Sequence, residues 1–339
     1  MNILLTSAGR RSYLVKYFKE ALEGRGKVHA SNSQYTIALQ EADQYFISPL
    51  IYQENYVEAI VNYCLINEIT VIISVFDIDL LILSKAKQFI ESKGIRLILP
   101  AEDVVEICND KWKTYQFLLD EGIKTPKTYK DLASVKEALS KGDIDYPVII
   151  KPRWGMASMG IYVVDNEEEL NVFSKKTYKE IQNSYLKYES SLTPEEAVLF
   201  QEKLVGQEYG LDVINDLDGN FVCVLPKSKI LMRAGETDLG ETIDPERFTN
   251  LAIKISNALK HEAIMSVDCF EIDGDFFVIE MNSRISGHYP LSHIAGTNLP
   301  KQIIQWVENK KTDMNNFKFE TGLYITKDLV PVIVKRFDE

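Results

Sequence analysis

Ser266-Val267-Asp268-Cys269-Phe270-Glu271-Ile272-Asp273-Gly274-Asp275-Phe276-Phe277-Val278-Ile279-Glu280-Met281-Asn282-Ser283-Arg284 decides the fold of this chain. Two apolar runs flank Asp273-Gly274, a strong signal for a β-hairpin. Glu280 and Asn282 are two apart on one strand and share a face, which Arg284 joins if the strand continues. Whether Asp268 joins them depends on the turn. A two-residue loop puts it on the opposite face and a three-residue loop on the same one, so grouping it with Glu280 and Asn282 requires an odd-length loop. Two carboxylates and an amide oxygen on one face suit Mg²⁺ held against a polyphosphate. An arginine just beyond suits a transferred phosphoryl group or a substrate carboxylate. A solvated hairpin face is the ordinary alternative for acidic residues. It fits poorly here, because Val267, Cys269, Val278, Ile279 and Met281 are apolar on both faces.

Upstream of the hairpin, Leu199–Leu204, Tyr209–Asn215 and Phe221–Lys229 read as further long strands, interrupted before it by a helix over Pro245–Leu259, so this half is expected to be an antiparallel sheet with helices on one side. Gln201-Glu202-Lys203-Leu204-Val205-Gly206-Gln207-Glu208 ends one strand and begins the next. Lys227, Lys229 and Arg233 alternate on a strand, a basic patch within an acidic protein. Ordinary surface is the competing reading for that patch.

Earlier still lies Val148-Ile149-Ile150-Lys151-Pro152-Arg153-Trp154-Gly155-Met156-Ala157-Ser158-Met159-Gly160, a strand ending in lysine and followed by a loop of small residues. Backbone N–H groups of such a loop converge on a concavity, and Lys151 adds a point charge suited to a nucleotide triphosphate. No GK[ST] follows and a strand comes next, so this is not a Walker A loop. A plain hairpin turn is the alternative. The second unit opens near Asn109-Asp110-Lys111 with a helix over Lys111–Glu121, and Glu189–Glu196 reads as a mobile connection.

The first hundred residues alternate strands (Asn2–Thr6, Lys27–Ser31, Thr70–Val75, Arg96–Leu99) with helices (Arg11–Glu23, Glu54–Asn67, Ile78–Lys93), which implies an open parallel sheet. Ligands bind at the carboxyl ends of such strands. Those ends carry Gly9-Arg10-Arg11 and Phe76-Asp77-Ile78-Asp79. Ser7-Ala8-Gly9 has one glycine where a dinucleotide fingerprint needs three, so a nicotinamide cofactor is not expected. Arg10 and Arg11 are instead candidates for an anionic substrate, and Asp77 for an amine, with helix capping the alternative for Asp77.

Composition narrows the function. The chain of 339 residues is 45% apolar and 26% charged, and 38 basic against 50 acidic side chains leave −12, which disfavours nucleic acid and anionic membrane as partners. No apolar run is long enough to span a bilayer, and four scattered cysteines form neither a metal motif nor a disulfide framework. A cytoplasmic location is the expectation.

Taken in order, Lys111, the IIKPRWGMASMG loop, QEKLVGQE, the basic strand and SVDCFEIDGDFFVIEMNSR resemble the ATP-grasp superfamily from about Met1 to about Trp306. The stretch from Glu280 to Pro300 is similar to the branch of carbamoyl-phosphate synthase large subunits. Only one such unit is present here, against two in those proteins. The resemblance implies an N-terminal open parallel α/β (pre-ATP-grasp) domain over 1–108. A two-lobed ATP-grasp fold would follow, with a small lobe over 109–190 and an antiparallel C-terminal lobe over 191–310, then an extension over 311–339 in which Leu329–Val334 could add an edge strand.

By the same resemblance, Lys111 and Lys151 contact ATP phosphates beneath a loop from Gly155 through Ser158 to Gly160. Glu202, Lys203 and Val205 face adenine, and Glu208 the ribose. Asp268, Glu280 and Asn282 hold Mg²⁺, often as two ions, with Mn²⁺ a substitute. Arg284 stabilises the transferred phosphoryl group, and Lys229 or Arg233 approaches it. His288, just past Arg284, is read as a structural or substrate-wall residue. The activity implied is ADP-forming ligation of a small carboxylic or amino acid to an amine through an acyl phosphate. A kinase and a nucleotide-binding regulatory protein are the alternatives. Partners are small molecules, and many relatives are homodimers.

Overall fold

The computed structural model describes residues 1–156, 158–191 and 193–333. Strands β1 (Asn2–Thr6), β2 (Val28–Asn32), β3 (Gln44–Ile47), β4 (Ile69–Ser74) and β5 (Arg96–Ile98) form one parallel sheet in the order β3-β2-β1-β4-β5. Crossover helices α1 (Ser12–Leu22), α2 (Ile37–Glu41), α3 (Tyr56–Ile66), α4 (Asp77–Lys85) and α5 (Lys87–Glu91) connect them. The central strands β1 and β4 are near-continuous apolar runs because both faces are covered. The chain leaves β1 in opposite directions toward β2 and β4, so the crevice between the carboxyl ends of β1 and β4 is the switch point where such sheets bind ligands. Buried Asp79 secures that crevice, accepting hydrogen bonds from Thr6 (2.6 Å), Tyr56 (2.6 Å) and Ser74 (2.8 Å). The helix expected over Ile78–Lys93 is two helices, broken at Ala86.

Helices α6 (Glu102–Asn109) and α7 (Lys111–Asp120) lead into a four-stranded antiparallel sheet, β6-β9-β7-β8. It is built from β6 (Thr128–Tyr129), β7 (Val148–Pro152), β8 (Tyr162–Val164) and β9 (Val198–Glu202) and carries α8 (Leu132–Lys141), α9 (Glu167–Gln182) and α10 (Lys187–Ser190). Both end residues of the connection expected over Glu189–Glu196 are hydrogen-bonded. Glu196 accepts from Lys130 (2.6 Å) and Arg153 (2.8 Å), while Glu189 accepts from the Tyr52 hydroxyl.

The third sheet has the order β14-β13-β10-β11-β12-β15, from β10 (Gln207–Asn215), β11 (Phe221–Arg233), β12 (Glu236–Thr242), β13 (Ile264–Ile272), β14 (Asp275–Asn282) and β15 (Tyr324–Thr326). Helices α11 (Thr249–Leu259), α12 (Tyr289–Ile294) and α13 (Leu299–Val307) complete the chain. The C-terminal edge strand falls at Tyr324–Thr326 rather than over Leu329–Val334. Leu329–Ile333 is irregular, and Val334 lies outside the described residues. Among the described residues no helix is long and apolar enough to cross a membrane.

The decisive hairpin corrects one expectation. Its turn is the two-residue Asp273-Gly274, both at positive φ (52° and 84°), and Ile272 pairs with Asp275. An even loop alone would put Asp268 on the wrong face. The register instead shifts by one between Cys269, which faces Val278, and Asp268, which faces Glu280, so Ile279 is bulged out. The odd residue needed to group Asp268 with Glu280 is supplied by this bulge rather than by the turn.

Candidate active site

Two cross-strand pairs, Asp268 opposite Glu280 and Ser266 opposite Asn282, set the floor of the site. Each carboxylate meets a lysine from another element. Lys229 on β11 bridges Glu208 on β10 and Asp268, at 2.8 Å to each. Lys111, the first residue of α7, lies 3.2 Å from Glu280 and donates to the Gly155 carbonyl at 2.5 Å. Burial pushes the Glu280 carboxyl up, but Lys111 and Lys151 outweigh it and hold it below its ordinary value. Burial also raises Asp268, only partly offset by Lys229, and Asp268 Oδ1 is buried without a partner. Glycine at 210 permits this packing, since a Cβ there would stand 3.0 Å from the His288 ring and 3.2 Å from Lys229 Cε.

At one end of this floor is the glycine loop. Lys151, at the end of β7, is buried and donates to Gln201 on β9 at 2.7 Å. Burial, together with the nearby Lys111, pulls its ammonium down to about 7. Lys111, Lys151, Gly155, Ser158 and Glu280 line one crevice. Ser158 and Gly160 adopt positive φ (56° and 67°), which turns the loop back over Pro152. Ala157 lies outside the described residues.

At the other end is a cavity lined by Arg11, Asp77, Lys229, Asp268, Glu280, Asn282, Arg284 and His288. Arg11 follows β1 and Asp77 follows β4, which brings the switch-point crevice to the hairpin. Arg284 donates to Asp77 at 2.8 Å, while its Nε is buried without a partner. Arg11 makes no ion pair among the described residues. Burial and the neighbouring Arg284 pull its guanidinium below its ordinary value. A cation so placed binds an anion. His288 Nε2 is 2.9 Å from Ser266 Oγ, and its Nδ1 is 3.3 Å from Asp212 Oδ1. Burial, with Lys227 and Lys229 close by, holds its imidazole well below its ordinary value and therefore neutral.

Other sequence candidates fall elsewhere. Arg233 follows a register shift between Lys229 and Met232 that turns it outward, where it pairs with Asp238 at 2.7 Å and is 48% exposed. Lys227 is wholly buried against Asp212 (2.5 Å) and Ser292 (2.7 Å), a core role. Arg10 is exposed and lines no part of the cavity. Glu202 accepts from the Lys127 backbone at 3.1 Å, and Lys203 and Val205 are exposed. None of these three lines the crevice or the cavity. Sequence reasoning missed Glu236, Ser266 and Ser286, all of which line the cavity. For Glu236 the signal was the Ala234-Gly235 pair, a two-residue turn between polar residues.

A domain model described as an ATP-grasp domain matches residues 108–288. The chain belongs to the ATP-grasp family. A second model, described as a PylC-like N-terminal domain, matches residues 3–98. This ATP-grasp chain is 26% identical over 227 residues to a pyruvate carboxylase subunit of Methanothermobacter thermautotrophicus, covering 63% of this chain and 44% of that protein. It is 23% identical over 266 residues to the carbamoyl phosphate synthase large chain of Clostridium botulinum, covering 75% of this chain and 23% of that protein. It therefore spans less than half the length of either relative. In fold it is similar to the biotin carboxylase domain of Hydrogenobacter thermophilus 2-oxoglutarate carboxylase, solved with MgADP and bicarbonate, with a TM-score of 0.75 and 19% identity over 95% of this chain and 73% of that one.

The donor set here fits ATP with Mg²⁺. Asp268, Glu280 and Asn282 present hard oxygens, one of them the buried unpartnered Oδ1 of Asp268, beside a loop suited to phosphates. Among the described residues no three or more His, Cys, Asp or Glu side chains form a metal cluster by themselves. Two carboxylates and an amide are the incomplete shell that an ion shared with a polyphosphate requires.

Proposed function

We propose that this ATP-grasp chain is an ADP-forming ligase that activates a small carboxylic or amino acid as an acyl phosphate and transfers it to an amine. The observation that carries this reading is Arg11, part-buried and without an ion pair among the described residues, in the cavity whose floor includes Glu280, the residue that Lys111 touches from the glycine-loop side. The cavity and the crevice adjoin at Glu280, so an acid in one and a triphosphate in the other can meet there.

Arg11 and Arg284 hold the acid's carboxylate. Lys111, Lys151 and the backbone of Gly155, Ser158 and Gly160 hold the phosphates. A carboxylate oxygen attacks the γ-phosphorus, the bond to the β–γ bridging oxygen breaks, and ADP leaves. The amine then attacks the acyl carbon, the bond from that carbon to the former carboxylate oxygen breaks, and phosphate leaves with that oxygen while the amine loses a proton to solvent, so no side-chain nucleophile is required. Asp268, Glu280 and Asn282 hold Mg²⁺, which when bound neutralises phosphate oxygens. Lys229 holds the Asp268 and Glu208 carboxylates in place beside it. Neutral His288 forms the wall beside the acid.

Hydroxylamine intercepts acyl phosphates. Enzyme, Mg-ATP, hydroxylamine and pooled carboxylic and amino acids should yield hydroxamate with matching ADP, and Glu280→Ala should abolish both. ADP accompanied by a stable phosphorylated acceptor, without hydroxamate, would establish a kinase instead.

A further inference from the structure

The cavity that holds Arg11 and Arg284 carries another charged group, one the reaction above leaves unused. The hairpin between β11 and β12 turns on Ala234 and Gly235, both at positive φ (49° and 78°), and brings Glu236 to the cavity wall. The backbone after Arg284 is shaped to receive it. A Cβ added at Gly287 would stand 2.6 Å from Glu236 Cδ, so the glycine lets that carboxylate lie against the backbone where a larger residue would displace it. A carboxylate in the wall of an acid-binding pocket repels the acid unless it recognises something else on the same molecule.

The group that Glu236 now holds is an ammonium. Lys327 Nζ lies 3.1 Å from Glu236 Oε2. Lys327 directly follows β15, is fixed through its backbone N–H to Asp238 O at 2.8 Å, and begins a segment whose Ile333 carbonyl accepts from Gln40 on α2 at 3.2 Å. The segment thus runs from the edge of the six-stranded sheet to the N-terminal unit. Glu236 is 49% exposed in this pair, so the contact is screened by solvent and readily exchanged for another ammonium.

We propose that Glu236 receives the ammonium of an amino acid whose carboxylate lies on Arg11 and Arg284, and that Lys327 occupies that place until the substrate displaces it. This rests on the acyl-phosphate reading and narrows its acid to a zwitterion. Paired guanidinium and carboxylate groups at one cavity match both charges of an amino acid, whereas a simple carboxylic acid offers nothing to replace Lys327 on Glu236.

The test uses the full chain, Mg-ATP and hydroxylamine with two pools: amino acids, and the matching deamino acids that keep side chain and carboxylate but lack the ammonium. Hydroxamate from the amino-acid pool should form at least about tenfold faster. With the best amino acid, Glu236→Gln should raise its KM by about tenfold or more and leave the KM of ATP unchanged. Lys327→Ala should lower the amino-acid KM, because a competitor is removed. Equal rates from both pools, or a Glu236→Gln change that affects ATP and acid alike, would overturn the zwitterion assignment while leaving the acyl phosphate intact. A raised amino-acid KM in Lys327→Ala would overturn the placeholder role. Hydroxamate from neither pool would overturn the ligase reading and this inference with it.

Discussion

Arg153 and Asp110 are joined by two hydrogen bonds of 2.8 and 2.7 Å, and Asp110 also caps α7 by accepting from Trp112 N at 2.9 Å and Lys113 N at 3.3 Å. Arg153 follows the end of β7, which carries Lys151, and α7 begins at Lys111. One buried pair therefore fixes the spacing of the two lysines that reach the glycine-loop crevice.

Arg153→Met should lower stability by about 3 kcal/mol, because it leaves Asp110 buried with its charge unpaired. Arg153→Lys should recover little, since lysine lacks the planar fork that makes both bonds. Urea unfolding measures the first effect, and ATP affinity of the folded fraction should fall in both variants. Unchanged ATP affinity in Arg153→Met would contradict the positioning role.

The pair Lys227–Asp212 is fully buried, with Asp212 also accepting from Ser292 at 2.7 Å. Lys227→Met alone should cost roughly 3–5 kcal/mol, as removal of one partner of a buried pair does. Adding Asp212→Leu should restore most of that stability, which a double-mutant cycle by denaturant titration will read. Similar losses in the single and double variants would show that Asp212 acts through Ser292 and His288 rather than through Lys227.

Lys151 gives ATP binding a pH signature. Its ammonium is pulled from 10.5 down to about 7 by burial, so it is mostly neutral at pH 8 in the ligand-free protein. A polyphosphate restores the charge, so binding at pH 8 should take up a proton, and the uptake should vanish toward pH 6, where the lysine is already charged. Calorimetry in two buffers of different ionisation enthalpy measures this. Lys151→Met should abolish the uptake, and uptake that persists in it would assign the proton elsewhere. The same shift affects stability. Between about pH 7 and 10.5 the unfolded chain binds the extra proton, so stability from this group rises with pH across that window.

Arg11 and Arg10 are adjacent in sequence and should separate in kinetics. Arg11→Ala should raise the KM of the acid by about ten- to a hundredfold, the loss of a charge-assisted hydrogen bond, with the KM of ATP unchanged. Arg10, exposed and outside the cavity, should be replaceable by alanine without effect on either constant. Equal effects from the two substitutions would contradict the cavity assignment.

Much of this was legible in the sequence, for identifiable reasons. Asp273-Gly274 between apolar runs announces a hairpin from local chemistry, and the parallel sheet announces itself through buried strands alternating with amphipathic helices. The bulge at Ile279 has no such signature, because a single inserted apolar residue in an apolar strand changes no local pattern. Two strands without an apolar pattern were also invisible. Gln44–Ile47 is largely exposed and lacks alternation, and Glu236–Thr242 is rich in polar residues and includes a glycine. Residues 11, 77, 236 and 284 bring charges to the cavity from distant parts of the chain, and only the folded chain shows that Arg284 takes Asp77 as its partner and leaves Arg11 free of any ion pair among the described residues. Spacing can nominate a cation for an anionic ligand, but it cannot say which of two neighbouring arginines faces inward.

Attack of a carboxylate oxygen on ATP is tested most directly by isotope transfer. The acid that yields hydroxamate, labelled with ¹⁸O in its carboxylate, should be ligated to an amine with Mg-ATP and the released phosphate analysed by mass. One ¹⁸O in each phosphate is the predicted result. Unlabelled phosphate from completed turnovers would contradict an acyl-phosphate mechanism.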